Sequence, residues 1–191
     1  MEVRRLSLPL GKEAGMLRAG DLVFLTGEVV TARDRAHLRM LELLSRGEEL
    51  PVDLRGGVLY HCGPLVRREG KGWRVLSAGP TTTLRMDPLL PSLLPRLGVR
   101  AVVGKGGVGE KTKGVMRRMG CVYLAFPGGC GALAAKAVEE VRGVHWLDLG
   151  PPEAMWVLGV RGFGPLLVAV DSRGGDLYER ARRGRVEGAR G

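Results

Sequence analysis

Residues 99–125 read VRAVVGKGGVGEKTKGVMRRMGCVYLA, with two apolar runs separated by a glycine-rich turn and a polar segment. The apolar run 99–103 predicts a strand, and the glycine-rich turn 104–109 follows it. Residues 110–119 predict a helix, and the run 121–125 predicts the next strand. Alternation of strand and helix is typical of α/β folds, so this segment predicts a sheet that is partly parallel.

The flanking segments add elements on both sides. Thr31 and Asp34 have the spacing of a helix start, and Gly47 can end that helix. Three prolines interrupt the leucine-rich segment 81–97, which predicts short or kinked helical pieces. The other predicted elements are strands at 21–30, 58–62, 73–76, 143–148, 154–160 and 166–170 and an alanine-rich helix at 129–142. This order predicts a three-layer α/β fold with one partly parallel, mixed sheet and a second, smaller set of strands.

The length of 191 residues fits one domain with an appendage. We predict the domain over residues 1–178 and an Arg-rich tail over residues 179–191, which holds five Arg and two Glu. The tail has no apolar period, so we expect it to be solvated or bound to a partner. The hydrophobic fraction of 45% is enough for a sizeable core and excludes disorder throughout the chain.

Composition also bears on location and on redox state. No apolar run approaches the ~20 residues of a membrane helix, and the N-terminus lacks the apolar core of a signal peptide. We therefore expect a cytoplasmic protein without a membrane partner. Cys62, Cys121 and Cys130 are odd in number and form no Cys-x-x-Cys pair. This pattern predicts reduced thiols and no metal site built from this chain alone.

The net charge of +10 is the clearest compositional bias. It is compatible with nucleic-acid binding, but it suits an anionic substrate or an acidic partner subunit equally well. Aromatic residues are only 5% of the chain, and no RNA-binding aromatic motif accompanies the basic residues. We keep a nucleic-acid-binding module as a remote alternative, which steeply salt-dependent oligonucleotide binding would support.

Two segments place cationic side chains at the ends of predicted elements. Arg33 lies in the first turn of a predicted helix, where a cation opposes the helix dipole unless something negative lies nearby. From this segment alone, a solvated Arg33 or a local pair with Asp34 is a better explanation than a binding site. If Thr81 opens a helix, Thr81 and Arg85 share one face and make a cradle for a carboxylate or phosphate, although a helix cap with a surface Arg is an equal alternative.

Two glycine-rich segments complete the candidates. Residues 104–109 fit Gly-x-Gly-x-x-Gly after a strand and before a helix, which is compatible with dinucleotide binding. The next strand ends without the acidic residue that binds the ribose in dinucleotide sites. Lys105 is therefore better explained as a point charge for an anionic ligand. The alternative is that residues 104–109 form a flexible turn without a ligand. In residues 126–132, close packing of a small-residue helix is a simpler explanation than a second anion site.

Taken in order, these motifs resemble the β portion of class I fumarases and of L-tartrate dehydratase. The resemblance rests on Leu25-Thr26-Gly27, Thr31-Ala32-Arg33-Asp34 with Ala36-His37, Ala78-Gly79-Pro80-Thr81-Thr82 with Arg85-Met86-Asp87, Gly104-Lys105-Gly106 and Pro152-Glu153-Ala154-Met155-Trp156, and spans about residues 5–180. It implies a swivelling β/β/α domain. Arg35 departs from the family pattern, where Ala is usual, and Cys130 stands in the glycine-rich helix start.

The resemblance also implies roles. It assigns Arg33, Arg85 and Lys105 to binding the two carboxylates of a substrate, Thr81 to proton transfer, and Asp34, His37 and Asp87 to supporting positions. It implies a hydro-lyase that hydrates fumarate to malate reversibly, with L-tartrate or another 2-hydroxy dicarboxylate as the alternative substrate. The iron–sulfur cluster would be carried by an α subunit, and a dimer of such heterodimers is the expected assembly.

Overall fold

A computed structural model describes residues 1–188, with side chains described for residues 1–183. The described elements are β1 (Val3–Ser7), β2 (Leu22–Thr31), α1 (Asp34–Ser45), β3 (Val58–Tyr60), β4 (Leu65–Glu69), β5 (Gly72–Ser77), α2 (Leu90–Leu97), β6 (Ala101–Gly104), α3 (Glu110–Met119), β7 (Val122–Ala125), α4 (Gly131–Lys136), β8 (Val138–His145), β9 (Met155–Val170) and α5 (Leu177–Gly188). Short 3-10 turns cover residues 12–16, 83–85 and 147–149.

Seven of the described strands form one mixed sheet in the order β1-β2-β3-β6-β7-β9-β8, and β4 and β5 form a separate hairpin. Strands β1, β2, β3, β6 and β7 pair in parallel with their neighbours, whereas β9 is antiparallel to β2, β7 and β8. Because β9 pairs with both β2 and β7, the strands β2, β3, β6, β7 and β9 close into a ring. The prediction of a mixed, partly parallel sheet is confirmed.

Alternate residues of the ring strands point to two separate apolar clusters, as the period of two in a strand requires. In β3, Val58 and Tyr60 join the cluster that also holds Trp156 and Phe163, while Leu59 joins the other cluster. Members of the second cluster come from the outer strand faces and from α1, α2 and α3: Met40, Leu90, Leu93, Leu94, Val115 and Met116 among them. The helices therefore cover one outer face of the ring.

Four predicted elements differ from the structure in the C-terminal half. The predicted helix 129–142 is wrong beyond residue 136, because Val138 to His145 pair with β9 as strand β8. The predicted strand 143–148 ends early at Trp146, whose φ of 62° is left-handed. The two strands predicted at 154–160 and 166–170 are one strand, since residues between them stay paired with β2 through register shifts.

Other differences are additions. Strands β1 and β4 were not predicted, and the segment 81–97 forms a 3-10 turn and a helix of eight residues with Pro95 inside it, as the prolines predict. Helix α5 begins at Leu177 and runs through the predicted tail boundary at residue 179, although the tail lacks an apolar period. Residues 189–191 of that predicted tail lie outside the described residues.

Helix α5 is held at its start by side-chain contacts. Asp176 accepts the backbone N–H groups of Tyr178 and Glu179 at 2.7 and 3.2 Å, which satisfies the first turn of the helix. Its other carboxylate oxygen lies 2.5 Å from the Lys113 ammonium on α3. This ion pair fastens α5 to α3. Among the described helices, none is both long enough and apolar enough to cross a membrane.

Candidate active site at the carboxyl edge of the parallel strands

Strands β2, β3, β6 and β7 run in parallel, so their carboxyl ends meet at one edge of the sheet. In open α/β sheets and in closed α/β barrels alike, ligands bind at the carboxyl ends of the parallel strands. Arg33 follows β2 by two residues, and Lys105 follows β6 directly. Two of the predicted binding residues are therefore brought to this edge from positions 72 residues apart in the sequence.

Thr81 reaches the same edge by backbone pairing. Its N–H donates to the His61 carbonyl oxygen at 2.6 Å, and its carbonyl oxygen accepts the Lys105 N–H at 3.3 Å. Thr83 N–H in turn donates to the Lys105 carbonyl oxygen at 2.9 Å. The structure thus places Thr81 between the segments that follow β3 and β6, beside Lys105.

This pairing overturns one expectation about the segment. Thr81 does not open a helix, because the backbone groups of residues 81 and 83 are used in pairing with neighbouring segments. Only a 3-10 turn forms, from Thr83 to Arg85, with Thr82 at its start. Thr81 and Arg85 therefore do not share a helical face, and the cradle predicted from helical spacing is not formed in that way.

Arg33 occupies the N-cap position of α1 with extended backbone. Its Nε lies 3.3 Å from Glu153 Oε1, and the two side chains are only 23% and 17% exposed. The other Glu153 oxygen accepts the Arg35 N–H at 3.0 Å. The Glu153 carboxylate thus lies at the N-terminus of α1, where it interacts favourably with the helix dipole and compensates the positive charge of Arg33. The predicted local pair between Arg33 and Asp34 is not observed.

Asp34 instead pairs with Arg85, whose terminal nitrogen lies 2.8 Å from Asp34 Oδ2. The Arg85 side chain is 53% exposed and that of Asp34 30% exposed, so the pair is open to solvent. The ion pair joins α1 to the 3-10 turn, and it brings Arg85 towards the helix start that carries Arg33. Exposed pairs of this kind contribute only about 0–1 kcal/mol to stability, so the arrangement matters more for position than for folding.

Lys105 differs from both arginines. Among the residues whose side chains are described, no carboxylate lies within ion-pair distance of its ammonium. Gly106 and Gly107, which follow it, have φ of 84° and 81°, a region that favours glycine. The ammonium packs beside Gly128, where an added Cβ would lie 3.6 Å from Nζ. Lys105 is thus a partly exposed cation available to an anionic ligand.

Asp87 has a structural contact that bears on the dinucleotide alternative. Its Oδ1 accepts the N–H of Gly109, the N-cap residue of α3, at 2.8 Å. A dinucleotide-binding turn needs the helix N-terminus for the pyrophosphate. Here the carboxylate of Asp87 already occupies that position, which disfavours dinucleotide binding by residues 104–109. Asp87 also ties the segment carrying Arg85 to the end of the Lys105 turn.

His37 is fully buried beneath the start of α1. Its Nδ1 lies 2.7 Å from the Arg33 carbonyl oxygen, and because a carbonyl only accepts, Nδ1 carries the hydrogen. Burial lowers the pKa of His37 to about 4, against the opposing effects of the Arg33 hydrogen bond and the Asp34 charge. The ring meets that of His61 edge to face, with centroids 4.9 Å apart. His37 is therefore neutral at pH 7 and holds the Arg33 backbone.

Sequence reasoning missed three buried residues under this edge. His61 Nδ1 lies 2.9 Å from Thr83 Oγ1, which lies 3.1 Å from the Tyr123 hydroxyl. Burial and the neighbouring His37 lower the pKa of His61 well below its ordinary value. The only sequence signals are a histidine at a strand end and a run of three threonines, neither of which is specific.

The remaining glycine-rich segment packs as a small-residue helix start, as predicted. Gly131 accepts the Ala78 N–H at 3.0 Å, and a Cβ at Gly131 would overlap the Ser77 hydroxyl. Cys62 and Cys121 are buried thiols, and Cys130 is half-buried. Within the described residues, no three His, Cys, Asp or Glu side chains converge to hold a metal.

The sequence matches a family model described as Fumarase C-terminus over residues 4–181. The chain belongs to the Fumarase C-terminus family. The match includes all seven predicted site residues and confirms the resemblance on which their assignment rests.

Named relatives of this Fumarase C-terminus chain fall into two groups. The putative L(+)-tartrate dehydratase subunit beta of Methanocaldococcus jannaschii is 43% identical over 173 residues, which cover 90% of this chain and 89% of that protein. The L(+)-tartrate dehydratase subunit beta of Escherichia coli K12 is 44% identical over 161 residues, 84% of this chain and 79% of that protein. The putative fumarate hydratase class I of Geobacillus stearothermophilus is 40% identical over 172 residues, 90% of this chain but 32% of that protein.

Proposed function

We propose that this chain is the β subunit of a hydro-lyase that adds water to, or removes water from, a small dicarboxylate. The observation that carries the proposal is the gathering of Arg33, Arg85 and Lys105 at one sheet edge beside Thr81. Membership of the Fumarase C-terminus family supports it, since relatives with that domain are named as dehydratase and hydratase proteins.

The chemistry explains why such an edge is useful. Removal of the proton next to a carboxylate moves negative charge onto that carboxylate in the transition state. Fixed cations aimed at those oxygens stabilise the transition state more than the ground state, which is what catalysis requires. Arginine forks bind carboxylates through two parallel hydrogen bonds, and both Arg33 and Arg85 already pair with carboxylates of this chain. Lys105 adds a point charge without such a partner.

Thr81 is the proposed proton-transfer group. A threonine hydroxyl is a weak base, and nearby cations favour its ionised form. Lys105 is adjacent through the backbone hydrogen bond between the two residues. Thr81 is held at both its N–H and its carbonyl oxygen, which fixes its backbone relative to the segments that follow β3 and β6.

The second half of the catalyst belongs, on this proposal, to an α subunit. The relatives named as subunit beta imply such a partner for those proteins. If the complex holds an iron–sulfur cluster, its ligands come from that partner, and the cluster would supply the Lewis acid for the hydroxyl group. We propose the same division for this chain, with a three-layer swivelling β/β/α domain that meets the α subunit and a dimer of heterodimers as the assembly.

L-Tartrate is the first substrate to test, and fumarate with malate is the second. The sequence resemblance favours fumarate hydration, but the relatives that match most of their own length carry the tartrate name. The fumarate hydratase relative is 40% identical over 172 aligned residues, which cover only 32% of that protein. The same cationic edge serves both acids because each has two carboxylates.

The deciding experiment is anaerobic co-expression of the chain with the α subunit encoded in the same genome, followed by a substrate panel. We expect the complex to convert L-tartrate to oxaloacetate, or fumarate to malate, while the isolated chain does neither. A pure chain that hydrates fumarate would contradict the division between subunits. A complex containing its metal that converts no dicarboxylate would refute the function.

Substitutions in the complex test the edge itself. Arg85→Ala should lower kcat/KM by at least about a hundredfold, because one lost oxyanion-stabilising group costs about 3–4 kcal/mol. Arg33→Ala should chiefly raise the KM for the dicarboxylate. Arg74→Ala, which removes an exposed arginine that pairs with Glu69 on the β4–β5 hairpin, is the matched control. Equal rates for Arg85→Ala and Arg74→Ala would remove Arg85 from the site.

A further inference from the structure

A buried hydrogen-bonded group, which we call the Thr83 cluster, consists of His61, Thr83 and Tyr123. The Thr83 hydroxyl lies 2.9 Å from His61 Nδ1 and 3.1 Å from the Tyr123 hydroxyl. All three residues are buried at 0% exposure, although each carries a polar group. They come from the end of β3, the 3-10 turn and β7, so the cluster joins three separate segments.

Thr83 is also fixed through its backbone. Its N–H donates to the Lys105 carbonyl oxygen at 2.9 Å. Its own carbonyl oxygen accepts the N–H groups of Met86 and Asp87 at 2.9 and 3.1 Å. Thr83 thus uses both backbone groups and its hydroxyl, and it lies two residues from Thr81 on one side and from Arg85 on the other.

The cluster packs directly against the residue before Lys105. A Cβ added to Gly104 would overlap the Thr83 hydroxyl and lie 3.2 Å from the Tyr123 hydroxyl and 3.4 Å from His61 Nδ1. Gly104 therefore leaves room for the three polar side chains to meet. Thr83 thus contacts β6 at the point from which Lys105 extends.

We propose that Thr83 is a positioning residue for the candidate site. The kinetic consequences of this proposal rest on the proposed function. Through its hydroxyl it fixes the 3-10 turn to β3 and β7, and so sets Thr81, Arg85 and Lys105 in one arrangement. Thr83 does not reach a substrate itself, because its side chain is buried under the edge. It acts through the residues that flank it and through the Lys105 backbone.

The kinetic test uses Thr83→Val in the assembled complex. Valine keeps the shape and both backbone hydrogen bonds but removes the hydroxyl, leaving His61 Nδ1 and the Tyr123 hydroxyl without that partner. We expect kcat/KM for the dicarboxylate to fall by about ten- to hundredfold, since misplacement of about 1 Å costs that much. Thr83→Ser, which restores the hydroxyl, should return the value to within about threefold of the native complex.

Thr112→Val is the matched control. Thr112 is equally buried, and its hydroxyl makes one long hydrogen bond of 3.5 Å to the Asp87 carbonyl oxygen. Its loss should lower stability without a comparable loss of kcat/KM. If Thr83→Val and Thr112→Val lower kcat/KM equally, or if Thr83→Ser fails to rescue, the positioning role is overturned.

A second measurement needs no activity and separates the two proposals. Amide hydrogen exchange of the isolated chain reports the Thr83 and Lys105 N–H groups, which close the backbone pairing under the edge. Thr83→Val should speed exchange of both by about tenfold or more, while Thr112→Val should not. Unchanged exchange overturns the inference even in an active complex, whereas faster exchange supports it even if no dicarboxylate is converted. If Thr83→Val does not fold, Tyr123→Phe takes its place, because it removes one of the two contacts of the Thr83 hydroxyl. The same changes in kcat/KM and in amide exchange are then expected of Tyr123→Phe.

Discussion

Replacement of Gly104 by alanine tests how tightly the Thr83 cluster is packed. The new methyl group would overlap the Thr83 hydroxyl and lie within 3.2 Å of the Tyr123 hydroxyl. Thr83 has little freedom to move, because its N–H and carbonyl oxygen are both hydrogen-bonded. Overpacking a buried site costs about 1–3 kcal/mol, and we place Gly104→Ala at about 2–3 kcal/mol because several neighbours are fixed.

The assay is urea and thermal denaturation of the isolated chain. For a protein of this size, a loss of about 2–3 kcal/mol lowers Tm by about 4–12 °C. Gly79→Ala is the control, since a Cβ at Gly79 would meet only Gly131 at 3.6 and 3.9 Å, which is ordinary contact. We expect that variant to lie within about 1 kcal/mol of the native chain, because alanine also reduces the entropy of the unfolded state.

A double-mutant cycle identifies the atom that is responsible. Thr83→Ala removes the hydroxyl that the new methyl group overlaps, so Gly104→Ala should cost about 1–2 kcal/mol less in that background. Strict additivity of the two substitutions would show that the clash is not with Thr83. Equal losses for Gly104→Ala and Gly79→Ala would refute the packing argument altogether.

Three further outcomes are expected of the isolated chain. The folded pKa of His37 is about 4, below the ordinary 6.5, so the unfolded state binds more protons between these values, and the contribution of His37 to the free energy of unfolding should fall by about 3 kcal/mol from pH 6.5 to 4. The buried His61, whose pKa is also lowered, adds to the same fall, so His37→Asn should make the slope less steep without abolishing it; an unchanged slope would contradict the burial of a neutral His37 ring. Asp176→Asn should lower the free energy of unfolding by about 1.5–3 kcal/mol at pH 7, because it breaks the pair with the α3 lysine. The pKa of the native carboxylate is held below its ordinary 3.8, so the cost of the substitution should shrink as the pH falls below that value towards the lower native pKa. A thiol reagent should react with Cys130 in the native chain, whereas Cys62 and Cys121, whose thiol pKa values burial raises to about 12, should react only after unfolding; three equal rates would argue against this placement.

Local patterns were sufficient where the fold is built from local units. The strand, turn, helix and strand predicted over 99–125 agree with β6, α3 and β7 to within two residues at each end. Each of these elements is a short apolar run or an amphipathic segment bounded by glycine. The helix after β2 was also predicted, but its start signal was wrong: α1 begins at Asp34 with Arg33 at the N-cap, and Thr31 is the last residue of β2 rather than a cap.

The closure of the sheet could not be predicted from such patterns. Strand β9 pairs with β8, which immediately precedes it, but also with β2 and β7, which lie much earlier in the sequence. The alanine-rich segment before β8 contains residues that favour helix. For this reason the predicted helix extended to residue 142, whereas α4 ends at Lys136. Pairing with β9 overrides it from Val138 onwards, because strand propensity depends on neighbours that the sequence window does not contain.

In the candidate site, too, local sequence patterns marked individual residues but not the contacts between distant segments. The sequence could mark Arg33, Arg85 and Lys105, because each lies at the end of an element beside Gly or another polar residue. It could not supply their partners. Glu153 reaches Arg33 only through the fold, across 120 positions of sequence, and the three members of the Thr83 cluster come from separate segments.

The charges gathered at the edge give a physical reason for a second subunit. Three cations, Arg33, Arg85 and Lys105, face two carboxylates of the chain, Glu153 and Asp34, so this group has one unit of positive charge in excess. A dicarboxylate placed there brings two negative charges, which leaves the chain's own edge with more anions than cations. Desolvated charge without a counter-charge is costly, and a transition state with still more negative charge would make the deficit worse. On the proposed function, we therefore expect the α subunit to supply at least one further positive group where it meets this edge.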